Sequence, residues 1–197
     1  MLLYLTCCFP ALLLLLLSAN ENTHTHKHTQ HTIIRNAYTS REQTVYFAKV
    51  FKNDLGRAVE ILSDILLNSK LEEGAIERER DVILREMSEV NKQQEELVLD
   101  HLHTTAFQGT GLGRTILGPE ENIRSLTRND LVDYIKNHYT APRMVIAGAG
   151  AIEHGQLCDL AGQHFGGLPT APSNAAAVAM DPAVFTGSDY RYVIFEL

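Results

Sequence analysis

The sequence predicts an α+β fold, an antiparallel sheet with helices packed on one face, and three observations lead to this prediction. Two segments rich in β-branched, aromatic or other apolar residues, 44–51 and 143–149, have the composition of strands. Several other segments repeat their apolar residues with the period of a helix. These strands and helices do not alternate as regular βαβ units, which argues against a parallel sheet.

The helices are predicted from apolar spacing and from residues that favour helix ends. Asn53 and Asp54 precede a helix that runs to about residue 68, and Thr127 precedes a short helix that ends near residue 139. A long helix begins at residue 71 or 72, passes residue 90 and is expected to reach about residue 103. A last helix covers residues 153–165, where two glycines end it. The glycine-rich segment 109–119 is predicted to be a loop.

Composition and charge exclude some classes of function. The chain has 197 residues, of which 45% are hydrophobic and 21% charged, so it can bury a core and is not disordered throughout. The net charge of −7 argues against nucleic acid as a partner, because phosphate binding needs a basic face. Three cysteines, two of them adjacent near the N-terminus, do not make a disulfide framework.

The N-terminus has a different composition from the rest of the chain. Residues 1–17 are apolar except Thr6 and Pro10, and the first charged residue is Glu21. A secretory signal would carry early positive charge, and a mitochondrial presequence would be rich in arginine, so neither type fits. Residues 1–20 are therefore expected to be a leader-like segment. Two alternatives stay open: an uncleaved signal or anchor that associates with a membrane through residues 1–17, and a stretch that is not natural protein sequence.

Residues 21–35 form a low-complexity segment in which threonine and histidine alternate. Alternating histidines can chelate a metal ion, but an AC dinucleotide repeat in DNA also encodes alternating threonine and histidine. We favour translated repeat DNA, and we expect the tract to hold no metal and to make no packed contacts, because it has no apolar anchors.

Acidic residues are concentrated in the predicted long helix. Residues 71–100 contain ten acids and four bases, so this segment carries a charge of −6. Most of these acids are expected on a solvated face. One stripe of the helix, however, mixes apolar residues with two carboxylates: Ile76, Glu79, Ile83, Glu86 and Val90. A buried carboxylate needs a cation, a metal or several hydrogen-bond donors, and the pattern alone does not choose among these.

Four sequence blocks, at residues 36–46, 76–87, 112–119 and 185–188, carry a specific resemblance. They read Asn-Ala-Tyr-Thr-Ser-Arg-Glu-Gln-Thr-Val-Tyr, Ile-Glu-Arg-Glu-Arg-Asp-Val-Ile-Leu-Arg-Glu-Met, Leu-Gly-Arg-Thr-Ile-Leu-Gly-Pro and Phe-Thr-Gly-Ser. The sequence resembles the pitrilysin/insulysin-type zinc metallopeptidases, and within that family the branch of mitochondrial processing peptidase β subunits. The resemblance covers residues 36–191, about four-fifths of the chain.

The resemblance implies a function and a set of site residues. The family uses zinc bound by a His-x-x-Glu-His motif and a distant glutamate, and Glu86 matches that glutamate. Glu79 matches an acid that supports the site, and Asn36 and Ala37 match an edge strand that pairs with the substrate backbone. The implied cofactor is zinc, the implied partner is a processing peptidase α subunit, and the implied substrates are basic presequence peptides. The implied location is the mitochondrial matrix or inner membrane.

The chain departs from the family in the motif that carries the chemistry. No His-x-x-Glu-His occurs in its 197 residues, so two zinc ligands and the general base are absent. We therefore expect an incomplete peptidase half-domain at residues 36–170, followed at 171–197 by a linker and the start of a truncated second half. The chain is expected to be inactive by itself and not to bind zinc. The alternative is a non-catalytic core subunit of the cytochrome bc1 complex, which has the same fold.

Overall fold

The computed structural model describes residues 2–7, 34–178, 182–187, 189 and 191. Four strands form one sheet: β1 (Leu2–Cys7), β2 (Ile34–Thr39), β3 (Thr44–Lys49) and β4 (Met144–Ala149). The α-helices are α1 (Leu55–Leu67), α2 (Glu73–Val90), α3 (Gln94–Ala106), α4 (Glu120–Ser125), α5 (Arg128–His138) and α6 (His154–Phe165). Short 3-10 turns lie at Lys52–Asp54, Gly111–Gly113, Ala141–Arg143 and Ala175–Val178.

The sheet is antiparallel throughout, with the strand order β2-β3-β1-β4. Its register places Leu3 opposite Ala48 on one side and Gly148 on the other. Leu3 and Ala48 are each 1% exposed and pack in the core with the helices, whereas Val145 on the other face of β4 is 61% exposed. The helices therefore cover one face of the sheet, and the predicted α+β class is confirmed.

Helix α1 covers the sheet because its apolar residues fall on one side. Ala58, Val59, Leu62 and Leu66 are all buried, at the spacing expected of a helix that presents one face to a core. The prediction of a helix ending at about residue 68 is confirmed, since α1 ends at Leu67.

A buried pair of tyrosines joins the sheet to the end of α5. The hydroxyls of Tyr46 on β3 and Tyr139 lie 2.8 Å apart and share a hydrogen bond. Each hydroxyl therefore has a partner in the core, where an unpaired one would be costly.

Strand β1 differs from the expectation of a leader-like segment. Leu2–Cys7 lie between β3 and β4, at the centre of the sheet. A leucine-rich run has too few polar residues to show the alternation of a strand, so composition alone did not distinguish the two. Residues 8–33, which include the rest of the apolar segment and the threonine–histidine tract, lie outside the described residues. Among the described helices, none is long and apolar enough to cross a membrane.

The predicted long helix is two helices, and the expectation of one continuous helix was wrong. Helix α2 ends at Val90 and α3 begins at Gln94. The turn is closed by tight bonds from Lys92 N–H to the Glu89 carbonyl (3.2 Å) and from Gln93 N–H to the Val90 carbonyl (2.9 Å). Residues 91–96 are all polar, so no apolar side chain holds this part of the chain against the core.

Helix α5 begins as the sequence predicts. The Thr127 hydroxyl accepts from the Asp130 N–H, and the Asp130 carboxylate accepts from the Thr127 N–H at 2.7 Å, which completes a capping box. Such a cap stabilises a helix by about 1 kcal/mol.

Part of the predicted linker is held against α5 by side chains. The side-chain oxygen of Asn137, Oδ1, accepts from the Ser173 hydroxyl at 2.6 Å and from the Asn174 N–H at 2.8 Å. One Arg143 guanidinium N–H donates to the Val178 carbonyl at 3.4 Å. Residues 171–178 therefore have a defined place on the first part of the chain.

Stability is expected to decrease as the pH is lowered because of His138, which lies at the end of α5. Burial, and then the positive charge of Arg143, lower the pKa of this imidazole. The folded protein therefore binds fewer protons than the unfolded chain, so the contribution is complete above the unfolded pKa of about 6.5 and is lost below it.

The melting temperature should therefore fall from pH 7.5 to pH 5.5, and His138→Gln should make that fall smaller. The same substitution at the exposed His154 is the control and should leave the slope as it is. An unchanged slope in His138→Gln would show that another group governs this pH range.

Candidate functional site

A cavity of about 600 Å³ lies between the edge strand β2, helix α2 and the segment 116–130. Most of its lining is apolar. Helix α2 contributes Ile76 and Ile83, and the opposite wall contributes apolar side chains from the loop before α4 and from α4 onwards: Ile116, Leu117, Ile123 and Leu126. An apolar cavity beside an open strand edge is suited to an extended peptide whose side chains enter the cavity.

Two of the four residues singled out in the sequence line this cavity. Ala37 lines it from β2, and Glu86, an exposed residue of α2, lines it from the helix. Glu79 is 6% exposed and is not part of the lining. Asn36 lies on the opposite face of β2, because successive residues of a strand point to opposite faces. Of the two carboxylates on the stripe of α2, only Glu86 is therefore part of the cavity lining.

Within the part of the chain that the structure describes, the main chain of β2 is paired along one edge and open along the other. Among the described residues β2 pairs with β3 alone. Ser40 N–H donates to the Gln43 carbonyl at 2.8 Å, and antiparallel pairs alternate from there between bonded and non-bonded. Tyr38 and Asn36 therefore bond to β3, whereas the N–H and C=O groups of Ala37 and Thr39 point away from it, towards the open edge.

Arg80 holds the wall of the cavity that faces β2. Its guanidinium donates to the carbonyls of Ile123 and, at 2.9 Å, Leu126, at the end of α4. It also pairs with Glu77 at 3.1 Å. The arginine is mostly buried and its charge is taken up by these contacts. Sequence analysis counted Arg80 only as one of the four bases of residues 71–100 and gave it no role, although a base between Ile76 and Ile83 was a signal.

A second ion pair holds the β2–β3 turn against α3. Arg41 in that turn pairs with Asp100 of α3, and both side chains are largely buried. The position of the edge strand relative to the helices therefore depends on this contact, which joins residues far apart in the sequence. Sequence reasoning treated Asp100 as one of the helix acids and gave no partner for it.

Asp130 adds a negative charge to the cavity lining. Hydrogen bonds from the Thr127 side chain and then from the Thr127 N–H lower the pKa of the Asp130 carboxyl below its ordinary value. Asp130 is therefore ionised at neutral pH, and Glu86 is the other acid in the lining. Among the ten acids of residues 71–100, three pair with arginine or lysine: Glu77, Glu89 and Asp100.

The donor set does not make up a zinc site within the described residues. No three histidine, cysteine, aspartate or glutamate side chains in this part of the chain come close enough together to hold a metal ion. A zinc site needs about three protein ligands, and Glu86 would supply one. His103 is engaged by the Leu99 carbonyl through its Nδ1 at 2.8 Å. The expectation that this chain binds no zinc stays a prediction.

Comparison with known proteins gives the family. Residues 16–120 match the family model described as insulinase (peptidase family M16), and residues 125–196 match the model described as the peptidase M16 inactive domain. The chain belongs to peptidase family M16. The match to the M16 model begins before Asn36, where the sequence resemblance was first placed, and the boundary between the two M16 matches falls within α4.

Two M16 relatives are named as mitochondrial processing peptidase β subunits, as the resemblance indicated. The subunit of Neurospora crassa is 62% identical over 158 residues, which are 79% of this chain and 33% of that protein. The human subunit is 59% identical over 156 residues, which are 79% of this chain and 32% of that protein. The chain thus spans about a third of the length of these relatives.

Solved structures show that the M16 fold is shared. A protease from Helicobacter pylori superposes with a TM-score of 0.75 at 16% identity, over 93% of this chain and 48% of that one. A chain in the structure of Complex III2 from Candida albicans superposes with a TM-score of 0.70 at 21% identity, over 95% of this chain and 45% of that one. At these identities the likeness concerns the fold alone.

Proposed function

We propose that this chain carries the substrate-binding edge and one metal-ligand position of a mitochondrial processing peptidase of the β-subunit type. The proposed reaction of the intact enzyme is zinc-dependent hydrolysis that removes basic presequences from imported proteins. Strand β2 would bind the presequence in an extended form, with Asn36 and Ala37 at the contact. Glu86 would be a zinc ligand, and Glu79 would support it from the core.

The observation that carries this proposal is the cavity between β2 and Glu86. Ala37 and Thr39 direct their main-chain groups to an open edge beside it, and an extended peptide can pair with such an edge by adding a strand. The acids Glu86 and Asp130 favour a peptide with positive charge. The identity to processing peptidase β subunits supports the same substrate class.

The cofactor, partner and location are parts of the same proposal. The zinc site would be completed by ligands that this chain does not contain, since its sequence has no His-x-x-Glu-His motif. The partner would be a processing peptidase α subunit, because the relatives are named as β subunits. The location would be the mitochondrial matrix or inner membrane.

The test is the binding of a basic presequence peptide to Ala37→Pro. Proline removes the N–H that points to the open edge and leaves the ladder to β3 intact, because Ala37 does not bond to β3. We expect the variant to bind a fluorescent presequence peptide about tenfold more weakly in an anisotropy titration, because one main-chain hydrogen bond and its geometry are lost.

Three controls make this result specific. Ala37→Ser keeps the N–H and should bind as the wild type does. A peptide of the same sequence with N-methylated backbone amides should bind weakly to every variant. Thermal unfolding of each variant verifies that the sheet is intact. Equal affinity of Ala37→Pro and wild type would contradict binding along β2.

A second candidate function is that of a non-catalytic core subunit of the cytochrome bc1 complex. The observation that favours it is the shared fold with a chain of Complex III2. A scaffold would not need an open strand edge beside an acidic position. Absence of presequence binding, together with co-purification of the chain with respiratory complex III, would favour this alternative.

A further inference from the structure

The outward-facing amide of β2 is already occupied by a side chain of the same strand. The Asn36 side-chain oxygen accepts a hydrogen bond from the Ala37 N–H at 2.8 Å. Asn36 is exposed, so its side chain can leave this contact and be hydrated by solvent. The contact covers the main-chain donor that the strand would offer to an incoming peptide.

The register explains why this amide matters for a peptide on β2. Ala37 lies opposite Tyr46 in a pair without ladder bonds, as argued above, so its N–H has no acceptor on β3. The next outward residue is Thr39, which lies opposite Thr44 in another pair without ladder bonds. The N–H groups of Ala37 and Thr39 are therefore the main-chain donors that a bound peptide would find along this edge.

We propose that Asn36 is a latch on the β2 edge, which caps the Ala37 N–H in the free protein and is displaced when a peptide carbonyl takes its place. This inference deepens the proposed function and rests on it as far as the peptide is concerned. The latch contact itself concerns only residues of this chain.

The latch would have two effects. First, an uncapped edge can pair with the edge of another molecule, and a capped N–H makes such pairing less favourable. Second, only an extended peptide that presents a carbonyl in register with Ala37 replaces the bond that is lost. A peptide that displaces the Asn36 side chain without presenting such a carbonyl would leave the Ala37 amide unsatisfied. The latch therefore costs the same hydrogen bond for every peptide that displaces it, and only a peptide in register recovers that bond.

The experiment compares wild type with Asn36→Ala by two measurements. In the free protein, the NMR hydrogen-exchange protection factor of the Ala37 amide should fall about threefold to tenfold, because a hydrogen bond of ordinary net strength is removed. The protection factor is used because the substitution also changes the intrinsic exchange rate. Affinity for the basic presequence peptide should rise by a similar factor, since binding no longer breaks that bond. Asn36→Asp, which keeps an acceptor oxygen, should retain the protection.

The outcomes separate the latch from the proposed function. Asn53→Ala, a matched change of an exposed asparagine, should alter neither measurement. Unchanged protection of Ala37 in Asn36→Ala would overturn the latch whether or not peptides bind. Lost protection with weaker peptide binding would also overturn it, because the net effect of the Asn36 side chain would then be to hold the bound peptide and not to compete with it. If no variant binds the peptide, the proposed function fails, and the exchange result still decides whether the contact exists.

Discussion

The 197-residue chain should leave a basic presequence peptide uncut, even with zinc and a processing peptidase α subunit present. Its sequence contains no His-x-x-Glu-His motif, so it lacks two zinc ligands and the base that would take a proton from water. Such bases alone contribute about 10²- to 10⁴-fold to a rate. Cleavage measured by mass spectrometry should therefore equal the rate with the α subunit alone.

The control for that assay is a pair of substitutions on α2. Glu86 lines the cavity and Asp81 is an exposed acid of the same helix outside it. Cleavage that a chelator abolishes, that Glu86→Gln removes and that Asp81→Asn leaves intact would mean that a complete metal site exists. That result would refute the prediction and would call for a search for the other ligands.

Leu3→Asp should destabilise the protein by about 3–5 kcal/mol, which is the range for a buried charge without a partner. Leu3 is buried at the centre of the sheet, between Ala48 and Gly148. Because small domains have a free energy of unfolding of about 5–15 kcal/mol, a loss of this size removes a large share of the stability. Urea denaturation followed by circular dichroism measures it.

The matched control is Val145→Asp, the same type of change on the exposed face of β4. We expect it to cost less than about 1 kcal/mol, because its carboxylate stays in water. If residues 2–7 were a leader-like segment outside the fold, Leu3→Asp would not change the urea concentration at which the protein unfolds. If Leu3→Asp and wild type unfolded at the same urea concentration, the placement of residues 2–7 in the sheet would be refuted.

Helices α1 and α5 could be predicted from the sequence because their signals are local. The apolar spacing of α1 and the Thr127–Asp130 cap of α5 each lie within a few residues. The turn at residues 91–93 was missed because five of the six residues in 91–96 are good helix formers, and no apolar side chain there marks where contact with the core is lost. Strand β1 was missed because its partners are far away in the sequence.

The candidate site was predictable in part. The resemblance singled out Glu86 and Ala37, and the structure brings both to one cavity. It also singled out Asn36 and Glu79, which lie outside the lining. Nothing in the sequence showed which of the four residues would line the cavity. Arg80 was missed because its role depends on the carbonyls of Ile123 and Leu126, more than forty residues further along the chain.

The central position of β1 has a consequence for how the chain folds. One edge of β1 pairs with β3, but the other pairs with β4, so its two partners are made at very different times during synthesis. Contacts between residues so far apart slow folding, since a long loop must be closed before they form. Until β4 is synthesised, an apolar strand keeps one unpaired edge, and unpaired edges of this kind promote aggregation. Newly made chains should therefore depend on a chaperone that shields extended apolar segments until residue 149 is available.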